Sequence, residues 1–121
     1  LYYLATHEAF HSDRQEYLKH AFMYVKANTD YIEKGKMRSN PLSSFLSGQA
    51  GVIFLCSLLY KTVGDEKNFK QYCDQYAEFA EECKKMDFCE GRGSDELFKG
   101  RAGYMCGVLS LLQKTGHKVF S

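Results

Sequence analysis

A repeat at a spacing of 52 residues constrains this chain more than any other feature. Phe45-Leu46-Ser47-Gly48-Gln49-Ala50-Gly51 falls on Leu97-Phe98-Lys99-Gly100-Arg101-Ala102-Gly103, and an apolar run follows each copy. Farther on, Gly64 falls on Gly116. Two apolar residues, a spacer and Gly-x-Ala-Gly at the head of an apolar run form too specific a pattern to coincide by chance at one spacing. The unit is longer than tetratricopeptide, ankyrin, HEAT or armadillo repeats and suits two long helices per layer. Such a layer cannot bury its apolar face alone. About three stacked layers are needed for stability, and barely two are visible here.

The segments between the glycine blocks read as helices. Leu1 to Phe10 is a helical tail whose beginning is missing, and the abrupt start without Met points to a fragment. Ser12 offers an N-cap, with Gln15 completing a capping box. From 13 to 34, Leu18, Ala21, Phe22, Val25 and Ile32 recur at helical spacing, with Tyr17, Tyr24 and Tyr31 placed for core or groove packing. Gly35 closes that helix. A basic and polar loop with Pro41 follows over 36–44. The helix over 49–63 is apolar nearly all round and must therefore be surrounded by protein. Gly64-Asp65 breaks it. Over 66–86, Phe69, Tyr72, Cys73, Tyr76, Ala80 and Cys83 line one face while charged and amide residues line the other. The helix over 101–115 is again apolar on most sides.

Amphipathic and wholly apolar helices thus alternate, and no segment alternates as a strand does. The expectation is an all-α fold: an α/α toroid, or double α-barrel, with amphipathic outer helices and apolar inner ones. Residues 1–121 would form one partial domain of it. Apolar residues make up 45% of the chain and aromatics 15%, enough for a packed core. The 16 basic and 15 acidic residues nearly cancel, leaving a net charge of +1. That balance gives no electrostatic basis for binding nucleic acid or anionic lipid. No run of apolar residues is long enough for a transmembrane segment. The five cysteines, Cys56, Cys73, Cys83, Cys89 and Cys106, include no close pair. They read as buried, reduced thiols in a cytoplasmic protein.

Gly48 and Gly51, like Gly100 and Gly103, stand at the N-termini of the inner helices. There glycine allows a positive φ and close approach of neighbouring elements. A helix start also attracts anions, so an anion or thiolate cradle is the alternative to close packing. With its flanks the motif becomes specific. Ser94-Asp95-Glu96-Leu97-Phe98-Lys99-Gly100-Arg101-Ala102-Gly103-Tyr104 resembles a block of the eukaryotic LanC-like (lanthionine synthetase C-like) proteins, and Phe45 to Gly51 resembles the block that precedes it. The resemblance covers essentially the whole chain but only the first two to three of the family's seven layers.

The resemblance implies a double α-barrel, related in shape to the six-hairpin glycosidase toroids, with zinc held by two cysteines and a histidine. Bacterial members add a peptide thiolate to dehydroalanine or dehydrobutyrine, and eukaryotic relatives add glutathione to such residues on damaged proteins. Zinc suits this chemistry because it lowers the pKa of a bound thiol. The family's ligands lie in Trp-Cys-His-Gly and Cys-His-Gly blocks. This chain has neither, and His7, His11, His20 and His117 all lie far in sequence from any cysteine. No cofactor and no metal ligand is therefore expected within the segment, although zinc is implied for the full-length family. Thiol addition, a catalytically silent scaffold at the cytoplasmic face of the plasma membrane that binds glutathione or proteins, and a plain helical-hairpin interaction module remain the three functional readings.

Other candidates weigh less. Asp95 and Glu96 read as caps or helix-dipole partners rather than a catalytic pair. Arg101, a guanidinium at a helix start, is the one candidate for binding a substrate carboxylate or phosphate. His11 and His20 read as solvated helix-face residues.

Overall fold

In this computed structural model the described residues are 1–36, 43–85 and 95–120. Their regular structure is entirely helical. It comprises α1 (Tyr2–Thr6), a 3₁₀ helix (Glu8–Asp13), α2 (Arg14–Glu33), α3 (Gln49–Thr62), α4 (Glu66–Glu78), α5 (Ala80–Cys83) and α6 (Arg101–Thr115). The sequence expectations on Pro41, on Cys89 and on the stretch up to Ser94 lie outside the described residues.

α3 is the hub. It packs most heavily on α4, then on α2, and also touches α6 and α1. One core cluster joins Ala50, Ile53, Phe54 and Leu58 of α3 to Tyr76, Ala80, Tyr104 and Leu111. A second joins Ala5, Leu18, Ala21 and Leu59, binding α1 and α2 to the other flank of α3. Ala50, Ile53, Phe54, Cys56, Ser57, Leu58 and Leu59 are all buried, as an apolar helix inside protein should be. In α4 and α5 the buried residues Phe69, Cys73, Tyr76 and Ala80 belong to the apolar face read from the sequence.

The repeated pair Gly64 and Gly116 ends both inner helices at a φ of 78° and 73°. A side chain there would strain the left-handed backbone, so glycine is the residue that lets each helix stop. The two stops differ in detail. Gly64 N–H reaches Lys61 O and Asp65 N–H reaches Tyr60 O, a Schellman closure, whereas Gly116 N–H makes a single bond to Leu112 O.

Several expectations are corrected. The tail over 1–10 is not one helix, because His7 is extended (φ −89°, ψ 132°) and a 3₁₀ helix begins after it. Ser12 does not cap α2. It lies inside that 3₁₀ helix, and Arg14 N–H already bonds His11 O, so the amide a cap would serve is occupied. The helix over 66–86 is interrupted at Phe79, where ψ tightens to −15° and the N–H reaches Tyr76 O three residues back. Tyr24 and Tyr31 are 60% and 47% exposed, so neither is core, although Tyr24 lines a groove beside Gly51, Val52 and Leu55. Cys56 and Cys73 are buried and Cys83 partly so, but Cys106 is exposed on α6. Burial pushes the Cys56 thiol up to about 12 and the Cys73 thiol to about 11.

Candidate functional site

The two glycine loops lie side by side. Leu46 N–H donates to Phe98 O at 3.3 Å, and Ser44 Oγ donates to the same carbonyl at 3.2 Å. The first loop is tied to α5 by Ser43 N–H, which donates to Glu82 Oε2 at 2.7 Å. The second is tied to the same place by Arg101. Its Nε donates to Cys83 O at 2.6 Å, Nη2 to Lys85 O and Nη1 to Asp95 Oδ1 at 2.8 Å. Arg101 therefore stands at the start of α6 with its guanidinium spread over the end of α5. Planar, multi-donor geometry makes arginine suited to that bridging.

Position 44 in the first copy corresponds to 96 in the second, and the two residues do the same work with different chemistry. Ser44 Oγ accepts from Ser47 N–H at 3.4 Å and pairs with Ser47 Oγ at 2.9 Å. The Glu96 carboxylate accepts from the amides of Phe98 (2.9 Å), Lys99 and Gly100 (2.9 Å). Those amides, Lys99 first, hold the Glu96 carboxyl below its usual range. A carboxylate of the chain itself thus takes up the loop amides just ahead of α6. Asp95 pairs with Arg101 and Glu96 with loop amides, so neither caps the first turn of α6, whose N-cap Gly100 makes no side-chain cap hydrogen bond.

Gly48 and Gly100 are N-caps with extended backbone, φ −109° and −91°, so neither uses a positive φ. Gly51 and Gly103 need the absence of a side chain for another reason. An ideal Cβ on Gly51 would overlap the carbonyl oxygen of Phe45, and one on Gly103 would overlap that of Leu97. The two contacts are themselves a repeat, six residues back in each copy.

Sequence reasoning did not single out the pair that locks the second copy. Tyr76 Oη donates to Tyr104 O at 2.8 Å and Tyr104 Oη donates to Tyr76 O at 3.0 Å, with the rings stacked 4.8 Å apart. Burial raises both phenols well above their ordinary pKa. Gly107 makes room for them, since a Cβ there would strike Tyr76 Oη. Reciprocal pairing across 28 residues leaves no local signal.

The family model described as "Lanthionine synthetase C-like protein" matches residues 1–120. The chain belongs to the LanC-like family. No solved structure matches it. All-helical architecture with an internal helical repeat is what a piece of the LanC-like all-α toroid requires. Among the described residues no group of three or more His, Cys, Asp or Glu side chains could hold a metal ion. No described helix is long and apolar enough to cross a membrane.

Proposed function

We propose that residues 1–121 are the opening layers of a LanC-like barrel whose complete form adds a thiol, with glutathione as co-substrate, to dehydroalanine or dehydrobutyrine residues in proteins. The observation that carries this reading is the family match over residues 1–120. The adjoining glycine loops, packed at the starts of two inner helices, support it. Within the same proposal, the stretch Cys89-Glu90-Gly91-Arg92-Gly93-Ser94-Asp95-Glu96-Leu97-Phe98 resembles the version of the block carried by LanC-like protein 3. Cytoplasmic residence, with the plasma membrane's inner face as the alternative, belongs to the same proposal.

The described residues do not fit the family zinc, because no three of their His, Cys, Asp or Glu side chains come together to hold a metal ion. In this proposal the metal is held by Cys-His blocks that residues 1–121 do not contain. Gly48, Gly51, Gly100 and Gly103 shape the rim by close packing. Arg101, already fastened to α5 and Asp95, sets the position of α6 and is the residue to test for substrate contact. A mass-spectrometric assay decides the matter. Glutathione, zinc and a dehydroalanine peptide should give the thioether adduct with a chain that joins this segment to the Cys-His blocks, and none with residues 1–121 alone. Adduct from the segment alone would overturn the assignment. Glutathione binding without adduct by the joined chain would favour the silent scaffold.

A further inference from the structure

The two copies of the repeat differ in charge where the inner helix starts beside the end of the outer one. In the second copy Arg101 spreads its guanidinium over the end of α5, donating to Cys83 O, Lys85 O and Asp95 Oδ1. Fifty-two residues earlier, Gln49 stands in the place of Arg101, Glu33 in that of Lys85 and Ser43 in that of Asp95. Gln49 carries no charge. Ser43 is fully buried, and its Oγ meets no hydrogen-bond partner among the described residues. The first copy thus has no guanidinium of its own at this point, although it has gained a carboxylate there.

Gln49 lines a groove of about 320 Å³ whose walls, α2, α3 and α4, all belong to this segment. Glu33 is the last residue of α2 and Glu78 the last of α4, so both carboxylates stand at the negative ends of helices. Neither helix has a basic residue in its last turn. The start of α3 offers only about half a positive charge against them. The lining includes no Lys, Arg or His, and among the described residues no lysine or arginine pairs with either carboxylate. Thr29, Tyr72 and Gln75 add hydroxyl and amide oxygens to the same groove. Burial, with Cys56, Tyr60 and Glu33 nearby, holds the Tyr72 phenol up at about 12, so it stays neutral beside the Glu33 charge. Both glutamates are exposed, which leaves the groove open to a ligand from solution. We infer that it binds the guanidinium of an arginine side chain on a peptide, held by Glu33 and Glu78 in the place that Arg101 fills in the second copy. A planar, multi-donor guanidinium serves two carboxylates and the neighbouring oxygens together, which a single ammonium does less well. The site depends on the repeat and the groove, and not on the thiol-transfer reading.

A ligand-observed NMR titration with the peptide acetyl-Gly-Arg-Gly-amide tests it, on a chain that joins this segment to the remaining layers of the barrel. Binding should be saturable and should weaken as salt is raised. The same peptide with citrulline for arginine, alike in shape but uncharged, should not bind. Glu33→Gln and Glu78→Gln, both at exposed positions, should retain the wild-type helical circular dichroism and each weaken binding about two- to fivefold, with the double variant losing it. Gln49→Arg supplies the cation from within the chain, so it should block the peptide and raise the melting temperature. A wild-type chain without saturable binding overturns the proposal. So does equal binding of the citrulline peptide, binding that survives the double substitution, or a Gln49→Arg chain that binds as wild type does.

Discussion

α3 and α6 are the same element of one repeat, yet they live in different surroundings. At matched positions, Ile53 of α3 is 6% exposed and Met105 of α6 is 46% exposed. Leu109 and Leu112 of α6 are exposed as well, at 55% and 42%. The grooves beside the two helices repeat this contrast. Thr29, Ile32, Gln49 and Ile53 line one of about 320 Å³, whose far wall is built by Gln75, Glu78 and Phe79. Their counterparts Glu81, Lys84, Arg101 and Met105 line one of about 580 Å³ that has no counterpart of that wall among the described residues. An apolar helix is thus not buried by its own composition. It is buried by the outer helix that follows it, as in any array whose repeats contact only their neighbours.

The largest test of this contrast removes the matched side chains. Ile53→Ala should cost about 2–5 kcal/mol by leaving a cavity, while Met105→Ala should cost under about 1 kcal/mol. Equal losses in chemical denaturation would mean that α6 is covered in solution. Next come the glycines, where the two copies should behave alike. Gly51→Val and Gly103→Val each force a side chain against a loop carbonyl, and each should lose roughly 1–3 kcal/mol or somewhat more through overpacking. Unchanged melting of either variant would remove close packing as the reason for its glycine.

A smaller effect separates the two tyrosines at matched positions. Tyr76→Phe deletes a buried hydrogen bond and should cost about 1–2 kcal/mol. Tyr24→Phe should be neutral, because its ring is exposed. Loss of stability in both would place Tyr24 in a core.

pH adds the last comparison. Burial raises Tyr76 and Tyr104 above their ordinary pKa, and holds Tyr72 at about 12 and Cys56 at about 12. Such groups favour the neutral form when folded. Their contribution is complete below the unfolded pKa and is lost as pH rises through the folded values, so unfolding should steepen above about pH 10. Glu96 acts with the opposite sign. Its lowered pKa contributes stability above the usual carboxylate range, lost as pH falls through the folded value. Glu96→Gln should flatten a slight acid slope that Ser44→Ala, in the other copy, leaves unchanged. An acid slope of the same size in Glu96→Gln would show that other carboxylates set it.

Much of this architecture was legible before any coordinates. The helix spans were predictable because apolar periodicity and the stop signals at Gly35, Gly64 and Gly116 are local. The Ser12 cap misled because the rule reads side chains, while the preceding 3₁₀ turn had already supplied the carbonyl for Arg14. The interruption at Phe79 left no trace, since no Gly, Pro or other breaker stands near it. At the candidate site, spacing pointed to Gly51, Gly103 and Arg101 but could not name the atoms they meet.

By itself, then, the sequence determined the all-helical class, the 52-residue unit and the crowding of Gly51 and Gly103 against a carbonyl six residues back, since each is written in local patterns of the chain. Tertiary structure decided which apolar face is covered, where the Arg101 guanidinium is fastened, and that Tyr76 and Tyr104 lock to each other across 28 residues. Those outcomes depend on contacts between repeats, and the same apolar helix is core or surface according to the neighbour that packs on it.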